Sequence, residues 1–99
     1  MSFRKLMKRK IICLDKYEAE KLASLIFIKE AKETFITEIL NIVDNEIVVK
    51  IKDKSAHSIV FKDNFQVEAF ADFIQSVLEK EHKIVNTLIS ENEIDIIKE

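Results

Sequence analysis

Residues 64–90 read NFQVEAFADFIQSVLEKEHKIVNTLIS, and the architecture turns on how this stretch folds. Val67, Phe70, Ala71, Ile74, Val77, Leu78, Ile84, Val85, Leu88 and Ile89 recur at steps of three and four, so on a helix they share one face. Glu68, Asp72, Gln75, Glu79 and Lys83 fall opposite. The spacing predicts one long amphipathic helix over residues 64–90, capped by Asp63 with Gln66 at the capping-box distance.

Glu81 interrupts that face. In heptad terms Val67, Ile74, Glu81 and Leu88 share one core position, and Phe70, Val77 and Ile84 share the other. A charge buried alone on such a seam is costly. Three arrangements accommodate it. The helix breaks near Glu81-His82; or Glu81 lies in water beyond the edge of a sheet; or two copies of the helix meet and Glu81 pairs with a cation across the interface. The second is favoured. The third bears most on function, because a helix longer than its sheet leaves an apolar face that a second copy can cover. On that reading Val77, Glu81, Ile84, Val85 and Leu88 are the candidate homodimer interface.

The chain before this stretch predicts a sheet. Glu46–Lys52, EIVVKIK, alternates as a strand with Ile47, Val49 and Ile51 inward. Ser58–Lys62 is its expected partner, with Ile51 opposite Ile59, Val49 opposite Phe61 and a turn around Lys54-Ser55-Ala56. Thr34–Val43 fits either a helix or a strand. Its β-branched residues and the Asp44-Asn45 pair that follows favour a strand and hairpin, with Ile42 opposite Ile47 and Leu40 opposite Val49. Asp15 with Glu18 forms a capping box opening a helix to about Ile28. Lys10–Leu14 and Ile94–Ile97 read as short strands, and no internal repeat is evident. The expected fold is α+β. A small antiparallel β-meander over about 34–62 packs against the long C-terminal helix and the N-terminal helix at about 15–28, all in one domain spanning residues 1–99.

The 99 residues contain no glycine and no proline. Without glycine there is no phosphate-binding Walker loop, dinucleotide fingerprint or nucleophile elbow. Turns fall to Asn, Asp, Ser and Lys, with Asn45, Asn64 and Asn92 best suited to left-handed backbone. No apolar run reaches the ~20 residues of a membrane helix. The apolar run after the basic N-terminus is too short for a secretory signal, and the lone Cys13 cannot form an internal disulfide. These features predict an intracellular or virion-associated protein. The abundance of Ile, Lys and Glu suits a thermostable protein or an AT-rich genome equally, and has the style of small viral and phage proteins.

Charge is uneven. Arg4, Lys5, Lys8, Arg9 and Lys10 form a basic arm over residues 1–10 without an acid, on a chain whose net charge is −2. The arm is the candidate nucleic-acid contact, with Phe3 available for stacking. A frayed, solvated terminus, or an arm docked onto the protein's own acidic surface, competes with that reading and is favoured, since a dedicated nucleic-acid binder is more often basic overall. His57 and His82 have no second His or Cys at zinc spacing, and Asp44, Glu46, Asp53 and Asp63 lack the glycine-containing calcium loop. Cys13 reads as a buried small hydrophobe. No catalytic, cofactor or metal residue is nominated. The expected function is a non-enzymatic interaction protein, homodimeric through the long helix, with a host or viral protein as a further partner. Nucleic-acid binding through the arm is the alternative, and a small enzyme a distant third.

Overall fold

A computed structural model describes residues 6–28 and 33–99. The order is β1 (Met7–Ile12), α1 (Lys16–Ile26), β2 (Ile36–Val43), β3 (Glu46–Ile51), β4 (Ala56–Val60), α2 (Asn64–Leu78), β5 (Ile84–Ser90) and β6 (Glu93–Lys98). The strands form two three-stranded antiparallel sheets, β1-β6-β5 and β2-β3-β4. Among the described residues no helix is long and apolar enough to cross a membrane.

The long C-terminal helix is therefore overturned. α2 stops at Leu78, and residues 84–98 are a β-hairpin. Lys80 takes a left-handed backbone with φ 62°. Its N–H donates to the carbonyl of Val77 at 3.0 Å and that of Glu81 donates to Ser76 at 2.9 Å. This is the paired Schellman closure that normally uses glycine. Two periodicities coincide in this stretch. Ile84, Val85, Leu88 and Ile89 satisfy a three-and-four spacing, but Ile-Val-Asn-Thr-Leu-Ile is also rich in β-branched residues and pairs readily with the alternating Glu-Ile-Asp-Ile-Ile that follows. Glu81, the residue out of pattern, sits in the connection where the helix has already ended.

β1 begins at Met7, so Lys8, Arg9 and Lys10 belong to a strand. β3 and β4 pair with Ile47 opposite Ile59 and Val49 opposite His57. That is four residues from the expected register, an even slip that keeps Ile59 on the core side. Lys54 makes the tighter loop feasible by adopting φ 72°. In β2–β3, Ile42 lies opposite Ile47, but a bulge puts Ile39 rather than Leu40 opposite Val49.

The element order contains a repeat that the sequence conceals. β1–α1–β2–β3 and β4–α2–β5–β6 have the same plan, and each sheet combines one half's first strand with the other half's hairpin. The hydrogen bonds are reciprocal. Cys13 and Phe61 form an antiparallel bridge between the two sheets. Leu14 N–H donates to Val60 O at 3.0 Å, and Lys62 N–H to Ile12 O at 3.1 Å. Asp15 and Asp63 cap their helices, accepting from Glu18 and Gln66 N–H. The capping-box side chains do not close on their own caps. Glu18 Oε2 accepts from Val60 N–H at 3.1 Å, and Gln66 Oε1 from Ile12 N–H at 3.0 Å, so each helix start is tied to the other half's first strand. The hairpin turns are likewise matched. Asp44 and Glu91 take φ 53° and 55°. Asn45 O accepts from Phe61 N–H while its Nδ2 donates to Phe61 O, and Asn92 does the same to Cys13. The asparagines thus serve as clamps between halves, not as the left-handed residues expected of them.

The core follows the repeat. Ile11 and Ile59, Cys13 and Phe61, Leu22 and Phe70, Ile26 and Ile74, Ile47 and Ile94, and Val49 and Ile96 occupy equivalent places, and all are fully buried. Phe61 and Phe70 rings pack at 5.4 Å.

Candidate functional site

Among the described residues, candidate binding groups lie along the outer strand edges, on the β1–β6 face, in the β3–β4 loop and in a pocket between the halves.

β2 and β5 are the outer edges of their sheets. Beyond its bulge β2 exposes Leu40, Ile42 and Val43, and β5 exposes Leu88 and Ile89. Edge strands are ordinarily blunted by charges, proline or irregularity, because their free N–H and C=O groups template pairing. β2 carries Glu38; β5 carries no charged residue from Ile84 to Ser90. Opposite the buried Ile94 and Ile96 of β6 stand Ile89 and Thr87, which places Leu88 on the outer face opposite Asp95. The five proposed interface residues are thereby dispersed. Val77 ends α2, Glu81 lies in the connection, Ile84 is buried by its own chain, Val85 is half-buried and Leu88 is 53% exposed. Only Val85 and Leu88 remain as edge-strand groups open to another molecule.

Of the candidate nucleic-acid contacts, Arg4 and Lys5 lie outside the described residues. Lys8 pairs with Asp95 at 4.0 Å and Lys10 with Glu93 at 3.4 Å, both across the β1–β6 ladder. These exposed pairs add little stability, but they bring acids to the same face as the cations. Arg9 points to the other side, next to Lys98, whose ammonium lies 5.0 Å from the Phe73 ring centroid. Burial, and then repulsion from Arg9, holds the Lys98 pKa below its usual value.

Asp53, Ser55 and His57 form a contiguous polar cluster at the β3–β4 loop. Its wiring is that of a turn. Ser55 Oγ donates to Asp53 Oδ1, as does the Ser55 N–H, and the His57 Nε2 lies 2.9 Å from the same Oγ. The serine occupies the middle, where a catalytic triad needs the histidine, and its one proton is already directed at the carboxylate. These bonds, with the His57 charge, hold Asp53 below the ordinary carboxylate range. Cys13 is fully buried, and burial followed by repulsion from Glu18 and Asp15 pushes its thiol up to about 12. A thiol so placed is not a nucleophile at neutral pH.

The pocket, of about 580 Å³, lies where the two halves meet. Thr34, Ile36 and Thr37 at the start of β2 and Lys52 after β3 line it from the first half. Val77 and Leu78 at the end of α2, then Lys80, His82, Lys83 and Ile84, line it from the second. Ile36 and Ile84 each open the second strand of their half, so the pocket straddles the repeat. It joins residues some forty positions apart, which no local pattern in the sequence marks. Among the described residues no three His, Cys, Asp or Glu side chains are grouped to hold a metal ion.

In comparisons with known proteins, the chain matches no family model, no curated protein and no solved structure.

Proposed function

We propose that the chain is a non-enzymatic interaction protein that works as a homodimer, with β5 of one copy pairing antiparallel to β5 of the other. The observation that supports this reading is the uncharged outer edge formed by Asn86–Ser90, with Leu88 53% and Ile89 42% exposed. Centring the two-fold on Leu88 sets Leu88 against its own copy on the outer face and Thr87 against Ile89 on the other. Both apolar side chains are then removed from water, and no like charges face one another. The main-chain groups along the edge gain partners in the same step. The edge of β2 is less suited, because Glu38 would have to be desolvated or faced by a partner residue.

A single strand pair is a small interface, at or below about 1,200 Å², so the dimer is a transient one. Sedimentation up to ~1 mM chain should show a concentration-dependent rise from 11.6 kDa towards twice that mass. Leu88→Lys, which places two ammonium groups face to face, should leave only the monomer. A wild-type chain that stays monomeric throughout, or a Leu88→Lys chain that still dimerises, removes this reading.

A further inference from the structure

We infer that the pocket between the halves is a binding site for a single-chain amphiphile with an anionic head. Its walls and its rim differ in kind. Ile36, Val77, Leu78 and Ile84 present hydrocarbon to the interior, while Lys80, His82 and Lys83 stand together on one connection at its mouth. Lys52 and Glu33 also line it, and they form an ion pair with each other. That leaves Lys80 and Lys83 as the lining cations without a lining carboxylate, while Glu79 and Glu81 flank Lys80 in sequence and Glu99 pairs with Lys83 through the main chain. Of the charged groups in the lining, three are lysines and one is an acid, on a chain whose formal net charge is −2.

Each half of that chemistry selects one half of a ligand. The apolar walls favour a body without hydrogen-bonding groups, since any polar atom there would lose water and find no partner. The lysines favour an anion, held at a mouth open enough for the ammonium groups to stay hydrated until it arrives. About 580 Å³ falls within the range of small-molecule sites, and it suits a short or medium acyl chain. Among the described lining residues, every cation other than the paired Lys52 comes from the second half. The residues leading into β2 are Thr34 and Phe35, where those leading into β5 are His82 and Lys83. The head would thus lie on the second half's side, and the chain would run between Ile36 and Ile84.

A carboxylate and a phosphomonoester share the required chemistry. Decanoate and decyl phosphate, each kept below its micellar concentration, are titrated into the isotope-labelled protein while methyl signals are followed. Saturable shifts centred on Ile36, Val77, Leu78 and Ile84 are expected with at least one of them. Tighter binding of decyl phosphate assigns a phosphate head, and equal or tighter binding of decanoate assigns a carboxylate. Lys80→Glu combined with Lys83→Glu, both exposed and outside the core, should weaken binding by about tenfold or more. Decanol and decyltrimethylammonium should bind worse by a similar factor. The site does not depend on the dimer, so Leu88→Lys should bind as wild type does. Absence of saturable shifts with both anions, affinity unchanged by the double charge reversal, or shifts centred on Leu88 and Ile89 would overturn the assignment.

Discussion

The two halves of the chain share a plan and differ in how they are filled. At equivalent places the first half has Cys13, Leu22 and Ile51, and the second has Phe61, Phe70 and Lys98. The backbone contacts are nearly interchangeable, whereas the side chains are not. What is repeated is the set of polar ties: two aspartate caps, two asparagine clamps and two helix side chains reaching for the other half's strand. A buried N–H or C=O must find a partner of fixed geometry, whereas an apolar site needs only suitable volume. The polar ties therefore define the fold more narrowly than the core does. Because each sheet needs a strand from both halves, neither half can complete a sheet alone.

Substitutions at matched positions put this comparison to the test. The largest effect is expected in the core. Phe61→Ala should cost about 3–5 kcal/mol and Cys13→Ala about 1 kcal/mol by urea denaturation, because the second half supplies the larger side chain at the bridge. Equal costs would mean that the two sites are not filled as described. Next come the reciprocal ties. Glu18→Ala and Gln66→Ala each strand a backbone N–H, of Val60 and Ile12 respectively, and each should cost about 1–3 kcal/mol. Glu18→Gln keeps the acceptor and should be much milder, and a loss as large as that of Glu18→Ala would locate the effect in the Lys21 ion pair instead.

Lys98 stands where the first half has Ile51, and it is 8% exposed. Lys98→Ile should stabilise the protein by about 1 kcal/mol at neutral pH. The sign of the pH dependence follows from its lowered pKa. Between that lowered value and 10.5 the unfolded chain holds the proton that the folded chain has released. Wild-type stability therefore rises with pH across this window, and the advantage of the variant should shrink there. A gap that widens instead would contradict the lowered Lys98 pKa. The smallest effect lies in the turns. Glu91 and Asp44 both hold left-handed backbone, which aspartate tolerates better than glutamate. Glu91→Gly should thus stabilise by up to about 1 kcal/mol and Asp44→Gly by less, seen as a shift in thermal midpoint.

Much of the local structure is legible in the residues. Asp15 and Asp63 mark both helix starts, and EIVVKIK marks β3 through plain alternation. The stretch 64–90 misleads because four apolar residues after Glu81 fit a helix face and a strand pair alike, and nothing local announces that Lys80 will take the backbone of a glycine. The repeat is hidden because it resides in pairings between distant residues, with Glu18 matched by Gln66 and Cys13 by Phe61. The pocket is hidden for the same reason. Val85 and Leu88 read as groups on a helix seam, and the structure sets them on a strand edge instead, because their spacing suits both.

The self-pairing of β5 is tested most directly by an isotope-filtered NOE experiment on an equal mixture of labelled and unlabelled chains at high concentration. Pairing centred on Leu88 predicts intermolecular cross-peaks between Leu88 and Leu88 and between Thr87 and Ile89. Intermolecular peaks confined to Leu40, Ile42 and Val43 of β2, or none at any concentration reached, would contradict it.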